Sequence, residues 1–215
     1  MIYWNTVNDK LKNCLLLLMD APLFEQFRLV GGTALSLQLG NRISIDIDLF
    51  TDALYGSIDF KNIDAFLTAH FDYVFGVSDM PVAMGKSYRV GSDERNTVKL
   101  DFYYTDEFIF DPLVVDGIRM ATTEEILAMK IDVVQRGGRK KDFWDLHELM
   151  ESFSFEEMLL LHQKRYSYHH DPLHIRENMT NFYSADEDPD PVCLKGKHWE
   201  LIKYDLITFL QKFKK

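Results

Sequence analysis

The sequence predicts an α+β fold in two parts: strands and helices mixed over residues 1–120, then helices alone over 121–215. Three observations carry this. Short apolar segments rich in β-branched and aromatic residues, several alternating with polar ones, recur as far as Tyr104. Thr122-Thr123-Glu124-Glu125 is a helix-start signal, hydroxyls followed by acids, and after it helical spacing replaces the alternation. Between Leu29 and Phe50, the run LVGGTALSLQLGNRISIDIDLF joins a strand, a glycine pair, a helix and a second strand that carries two carboxylates.

Taken in order, Asn8 to Met19 has Leu11, Leu15 and Leu18 at helical spacing and is stopped by Pro22. Phe27 to Val30 reads as a short strand, and Gly31-Gly32 precede a helix start at Thr33-Ala34-Leu35. In the following strand Asp46 and Asp48 share one face, with Ile45, Ile47 and Leu49 on the other. Asp59 to His70 is helical through Phe60, Ile63, Phe66 and Leu67. Tyr73 to Val77 and Val82 to Val90 read as strands around a turn at Asp79 and Pro81. The polar turn Gly91 to Asn96 pairs the second of these with Thr97 to Tyr104 as a hairpin, in which Asp101 lies opposite Leu100 and Phe102.

Beyond Ala121, Ile126, Leu127, Val133 and Val134 form one helical stripe with Lys130 in its middle. Gly137-Gly138 end that helix, the basic cluster Arg136, Arg139, Lys140, Lys141 follows, and a helix beginning near Asp142 brings Asp142 and Asp145 onto one face. Phe153 to Arg165, His174 to Tyr183 and His198 to Phe213 read as helices, the last trailing Lys212, Lys214 and Lys215. Ser184 to Pro191, SADEDPDP, reads as an exposed acidic linker.

A net charge of −10 argues against a broad, sequence-blind nucleic-acid coat. Two cysteines, Cys14 inside an apolar run and Cys193, suggest no disulfide framework and a reducing cytoplasm. The apolar run from Cys14 to Met19 is too short to span a bilayer, and the chain shows no leader pattern, so a cytoplasmic protein without membrane attachment is expected.

The chemistry concentrates in the glycine pair and the acids. Burying even one unpaired carboxylate costs several kcal/mol, so two on an otherwise apolar strand call for a compensating cation. A divalent metal at Asp46 and Asp48, with Asp101 as a third ligand from a neighbouring strand, meets that need. Glycines at a helix start let backbone N–H groups approach a phosphate. Together these are the parts of phosphoryl or nucleotidyl transfer. The plainer alternatives are a glycine turn and a solvated Asp-x-Asp. Lys130 either snorkels to water or extends into the cleft to meet phosphates; of Asp142 and Asp145, one caps the helix while the other pairs with Lys130 or Arg139. His169, His170 and His174 have no matching Cys or carboxylate spacing and read as surface or capping residues.

GGTALSLQLGNRISIDIDLF, KLDF and ATTEEILAMKIDVVQRGGRKKDFWDLHEL together resemble the four motifs of the AbiEii/AbiGii abortive-infection toxin family of nucleotidyltransferases, over about Leu29 to Leu149. The resemblance implies a nucleotidyltransferase fold of the DNA polymerase β type, with a mixed sheet and flanking helices and a helical C-terminal part. It implies Mg2+, as one ion or two, an NTP substrate, a tRNA or protein acceptor and a cognate antitoxin. By motif, Gly31, Gly32, Thr33, Ser44, Lys130 and Arg139 would contact the nucleotide. Asp46, Asp48 and Asp101 would bind metal, and these three with Lys130, Asp142 and Asp145 would form the catalytic set. The motif departs from relatives at Asn41, where histidine is common before the arginine; an altered nucleotide or acceptor contact is the expectation. Rival expectations are nucleotidylation of a small molecule such as an aminoglycoside, and a non-catalytic NTP-binding or docking module.

Overall fold

A computed structural model describes residues 1–78 and 82–212; the turn expected at Asp79 and Pro81, and the terminal Phe213, Lys214 and Lys215, lie outside the described residues. Seven strands form one mixed sheet: β1 Arg28–Leu29, β2 Asp46–Thr51, β3 Tyr73–Phe75, β4 Gly85–Asp93, β5 Asn96–Tyr104, β6 Leu113–Val115 and β7 Ile118–Met120, in the order β3-β4-β5-β2-β1-β7-β6. Three helices fall among them: α1 Asp9–Asp20, α2 Gly31–Leu39 and α3 Phe60–His70. Six follow: α4 Thr123–Gln135, α5 Lys140–Leu149, α6 Phe155–Arg165, α7 Pro172–Asn178, α8 Tyr183–Asp186 and α9 Trp199–Gln211.

The centre of the sheet positions the chemistry. Strand β2 runs parallel to β5, with Asp48 opposite Asp101 and Asp46 opposite Lys99, and antiparallel to β1. Alternation then sorts the side chains. Ile47, Leu49, Leu100 and Phe102 are buried in the core with Phe24, Phe27 and Tyr88, while Asp46, Asp48, Phe50, Lys99, Asp101 and Tyr103 occupy the other, half-buried face. Ile45 departs from the expected pattern. It precedes the strand and is 65% exposed, because the chain from Ile43 to Ile45 leaves the sheet and lines a surface cavity.

Local signals account for most helix boundaries. Asn8, Asp59, Thr122, Ser154 and Asp171 each accept a backbone N–H as N-caps. The helix expected from His174 to Tyr183 is instead two short ones. Asn178, Thr180 and Asn181 use their side chains on nearby backbone groups, which competes with helix continuation. Helix α4 is also not the one-sided helix its stripe suggested: it meets α2, α5, α6 and α7, so Glu125, Asp132 and Gln135 are buried while Val133 is exposed. Glu125 is held there by a buried ion pair to Arg165.

The acidic segment Ser184 to Pro191 docks rather than floats. Asp186 accepts from Trp199 Nε1 at 2.6 Å, Asp188 from the Lys140 N–H at 3.0 Å, and Asp190 from Lys140 Nζ at 3.0 Å. The chain then bridges to the loop before β2: Ile43 N–H donates to Val192 O and Leu194 N–H to Asn41 O, both at 2.9 Å. Among the described residues no helix is long and apolar enough to cross a membrane.

Candidate active site

The acids converge from two adjacent strands. Register places Asp48 directly beside Asp101, and Asp46 two residues away on the same face. Burial, then the charges of Asp101 and Asp46, push the Asp48 carboxyl up to about 6, although Lys141 and Lys99 oppose the shift. One Asp101 oxygen binds Lys99 Nζ; the other is buried and has no hydrogen-bond partner among the described residues. An orphaned, buried carboxylate oxygen next to a carboxylate that resists ionisation is an arrangement short of positive charge. Carboxylates set side by side on paired strands offer the oxygen donors that a hard divalent cation such as Mg2+ takes.

Helix α2 starts against this cluster. Val30 is its N-cap and offers no side-chain acceptor, so the first-turn N–H groups are left for a ligand or water. Both glycines are required by geometry. Gly31 has φ +65°, and a Cβ there would lie 3.0 Å from Asp48 Oδ2; a Cβ on Gly32 would lie 2.3 Å from Arg42 Nη2. Thr33 and Ser44 are buried and share a 2.7 Å hydroxyl contact, and the Thr33 hydroxyl also binds Asp46 O. These two hydroxyls therefore pin the start of α2 to the start of β2.

Lys130 does not snorkel to water but takes the pairing expected from the α5 acids. It is buried, with Nζ 2.6 Å from Asp142 Oδ1 and 2.7 Å from Asp145 Oδ2. The reason lies in α4 being enclosed: there is no nearby water for the ammonium to snorkel to, and two carboxylates from α5 meet it instead. Asp142 both caps, accepting the Arg139 N–H at 3.0 Å, and pairs with Lys130. Asp145 also takes Arg42 as a bidentate partner, at 2.7 and 2.8 Å. Burial disfavours the Asp145 anion, yet Lys130 and Arg42 hold its pKa down to about 2; burial likewise opposes the charges of Lys130 and Arg42, but their acids keep both raised. The Arg42–Asp145–Lys130–Asp142 chain thus seats Arg42 beneath Gly32. Asn41 belongs to it as well, donating to Asp145 Oδ1 at 3.3 Å from a buried position, so its departure from the motif alters this support and not an exposed contact.

Each member of the basic cluster faces an acid. Arg136 pairs with Asp132, Arg139 with Asp188, and Lys140 with Asp190, while Lys141 stands 3.9 Å from Asp46. Lys141 and Arg139 line a cavity of about 280 Å3 together with Arg42, Ser44 and Asp46. Sequence reasoning passed over Arg42 as a structural cation and Lys99 and Lys141 as the lysines facing the acids. An arginine two residues before a hydroxyl and four before Asp-x-Asp is the signal that was available for the first.

The family profile described as nucleotidyl transferase AbiEii toxin, type IV toxin–antitoxin system, matches residues 15–213. No curated protein matches the chain significantly in sequence. Among the solved structures that share its fold are the following three. A protein from H. pylori crystallised as a proposed nucleotidyltransferase has 20% identity and a TM-score of 0.64, covering 95% of this chain and 94% of the other. JHP933 from Helicobacter pylori has 20% identity and a TM-score of 0.60 over 96% and 92%. MenT4, a nucleotidyltransferase toxin from Mycobacterium tuberculosis H37Rv, has 17% identity and a TM-score of 0.56 over 94% and 82%.

Proposed function

Because the chain belongs to the AbiEii nucleotidyl transferase toxin family, we propose that it transfers a nucleotidyl group from an NTP to a hydroxyl of tRNA or protein in an Mg2+-dependent reaction at the Asp46–Asp48–Asp101 cluster. The observation that carries this reading is the pairing of Asp48 with Asp101 across β2 and β5, with one Asp101 oxygen buried and unpartnered. Mg2+ bound by these three carboxylates would draw the triphosphate in and stabilise charge on its oxygens.

The chain's own groups divide the remaining tasks. The N–H groups at Gly31 and Gly32 hold phosphate oxygens at the positive end of α2. Lys141 and Arg139, on the rim of the cavity beside Asp46, offset negative charge on the entering polyanion. Lys130, with Asp142 and Asp145, acts through Arg42 by keeping the glycine turn in place. Thr33 and Ser44 hold the helix start on the strand. Asp101 takes the proton of the acceptor hydroxyl as its oxygen bonds to the α-phosphorus and pyrophosphate leaves.

The test is transfer of α-phosphate label from each NTP to total cellular RNA and to protein, with Mg2+ or with EDTA. Native protein is expected to label one fraction with Mg2+ alone, and Asp46→Asn neither. Equal labelling by both proteins would refute the assignment.

A further inference from the structure

His169 and His174 are exposed, as expected, but His169 has buried partners. The turn that follows α6 brings His169 back to α4, where its Nε2 lies 2.6 Å from Asp132 Oδ1, and the Nε2 of His162, fully buried on α6, lies 3.8 Å from the same oxygen. One donor atom from each of the three residues lies within 4.8 Å of the other two. We propose that Asp132, His162 and His169 form a binding site for a zinc-class divalent transition ion, separate from the carboxylate cluster on the sheet.

The donor chemistry selects the ion. Two imidazoles and one carboxylate suit zinc and its neighbours, whereas Mg2+ prefers oxygen donors throughout. Bonds of 2.0–2.2 Å in a tetrahedral site set donor atoms roughly 3.3 Å apart. The two observed separations from Asp132, 2.6 and 3.8 Å, fall on either side of that spacing, so shifts of about 0.7 and 0.5 Å would admit the ion.

The surroundings fit a ligand set. His162 Nδ1 is 2.9 Å from His170 Nδ1, a contact that fixes the ring and, with His162 donating, leaves its Nε2 lone pair directed at Asp132 and His169. Gln135 Nε2 now bridges Asp132 Oδ1, at 3.0 Å, and His162 Nε2, at 3.3 Å, while its Oε1 is buried without a partner. Half a turn of that amide exchanges the two atoms and aims the orphaned oxygen at the same centre as a fourth donor. Arg136 binds the other Asp132 oxygen and leaves Oδ1 to face the two histidines. Asp132 and His169 also line a cavity of about 560 Å3 that reaches Phe50, the next residue after Asp46 and Asp48 on the same face of β2. A bound ion therefore fastens the Tyr166–His169 wall of that cavity to α4.

Untagged protein, stripped with chelator, is titrated with Co2+ and then Zn2+ and followed by visible absorption and metal analysis. Expected is one equivalent of four-coordinate Co2+, without a thiolate charge-transfer band, displaced by Zn2+ and retained in Asp46→Asn. His169→Ala, which alters a partly exposed side chain, should weaken binding at least tenfold while leaving the far-UV circular dichroism unchanged. Absence of the four-coordinate band in native protein overturns the proposal, as does a band that survives His169→Ala or is lost in Asp46→Asn.

Discussion

Replacing Asp48 by asparagine should stabilise the protein when divalent ions are absent. Asp48 is shifted from 3.8 to about 6 by burial and by Asp101 and Asp46. Its ionised form at neutral pH therefore opposes folding by roughly 3 kcal/mol, since each unit is worth about 1.4 kcal/mol. A raised carboxyl pKa means that the folded chain holds a proton which the unfolded chain has released. The cost is absent below 3.8, grows as pH rises between 3.8 and about 6, and is complete above that. In EDTA at pH 7.5, Asp48→Asn should raise the melting temperature by roughly 6–12 °C, at about 2–4 °C per kcal/mol for a chain of this size. At pH 5 the free-energy gain should fall to about half. Differential scanning fluorimetry across pH, with urea titrations at the two limits, reads both quantities. Adding Mg2+ should raise the melting temperature of the native protein and leave the variant unmoved. A variant that is less stable at pH 7.5 in EDTA, or whose gain does not change with pH, would refute the claim that Asp48 is destabilised by its acidic neighbours.

Gly32→Ala would place a methyl 2.3 Å from Arg42 Nη2 and force Arg42 away from Asp145; a loss of about 1–3 kcal/mol in urea is expected, with transfer activity down roughly a hundredfold. Lys130→Ala leaves Asp142 and Asp145 buried without their shared cation, and the urea midpoint should report a loss of about 3–5 kcal/mol. In native protein Asp145, lowered from 3.8 to about 2, contributes stability that is present above 3.8 and lost as pH falls through 2. Acid unfolding followed by tryptophan fluorescence should show this limb in the native chain, and Asp145→Asn should lack it.

The parts of the fold governed by short-range rules were legible in the sequence. Asn8, Asp59 and Thr122 announce their helices by capping, and the alternation around Asp46, Asp48 and Asp101 puts all three on one face, as the β2–β5 register bears out. What escaped depends on partners distant in sequence. No local pattern says that α4 will be enclosed, so neither the burial of Lys130 nor the pairing of Asp132 with His169 could be read from spacing. The β6–β7 hairpin is a different case: Asp116-Gly117, both with positive φ, is a two-residue hairpin turn whose signal was present and unused. The acidic segment is largely exposed, as composition suggested, but composition describes solvation and not docking: its aspartates find Trp199 and Lys140 only once the helices have assembled.

The clasp between Val192–Leu194 and Asn41–Ile43 has a bearing on how such a molecule is made. During synthesis the loop leading into β2 emerges first, but the backbone that holds it arrives only after some 150 further residues have left the ribosome, at about 5–20 residues per second. For many seconds each nascent chain carries its acids and its glycine turn without the brace on the loop between them. A chain cut short before Val192 would keep every acid of the cluster and lack the backbone that clasps the loop before β2.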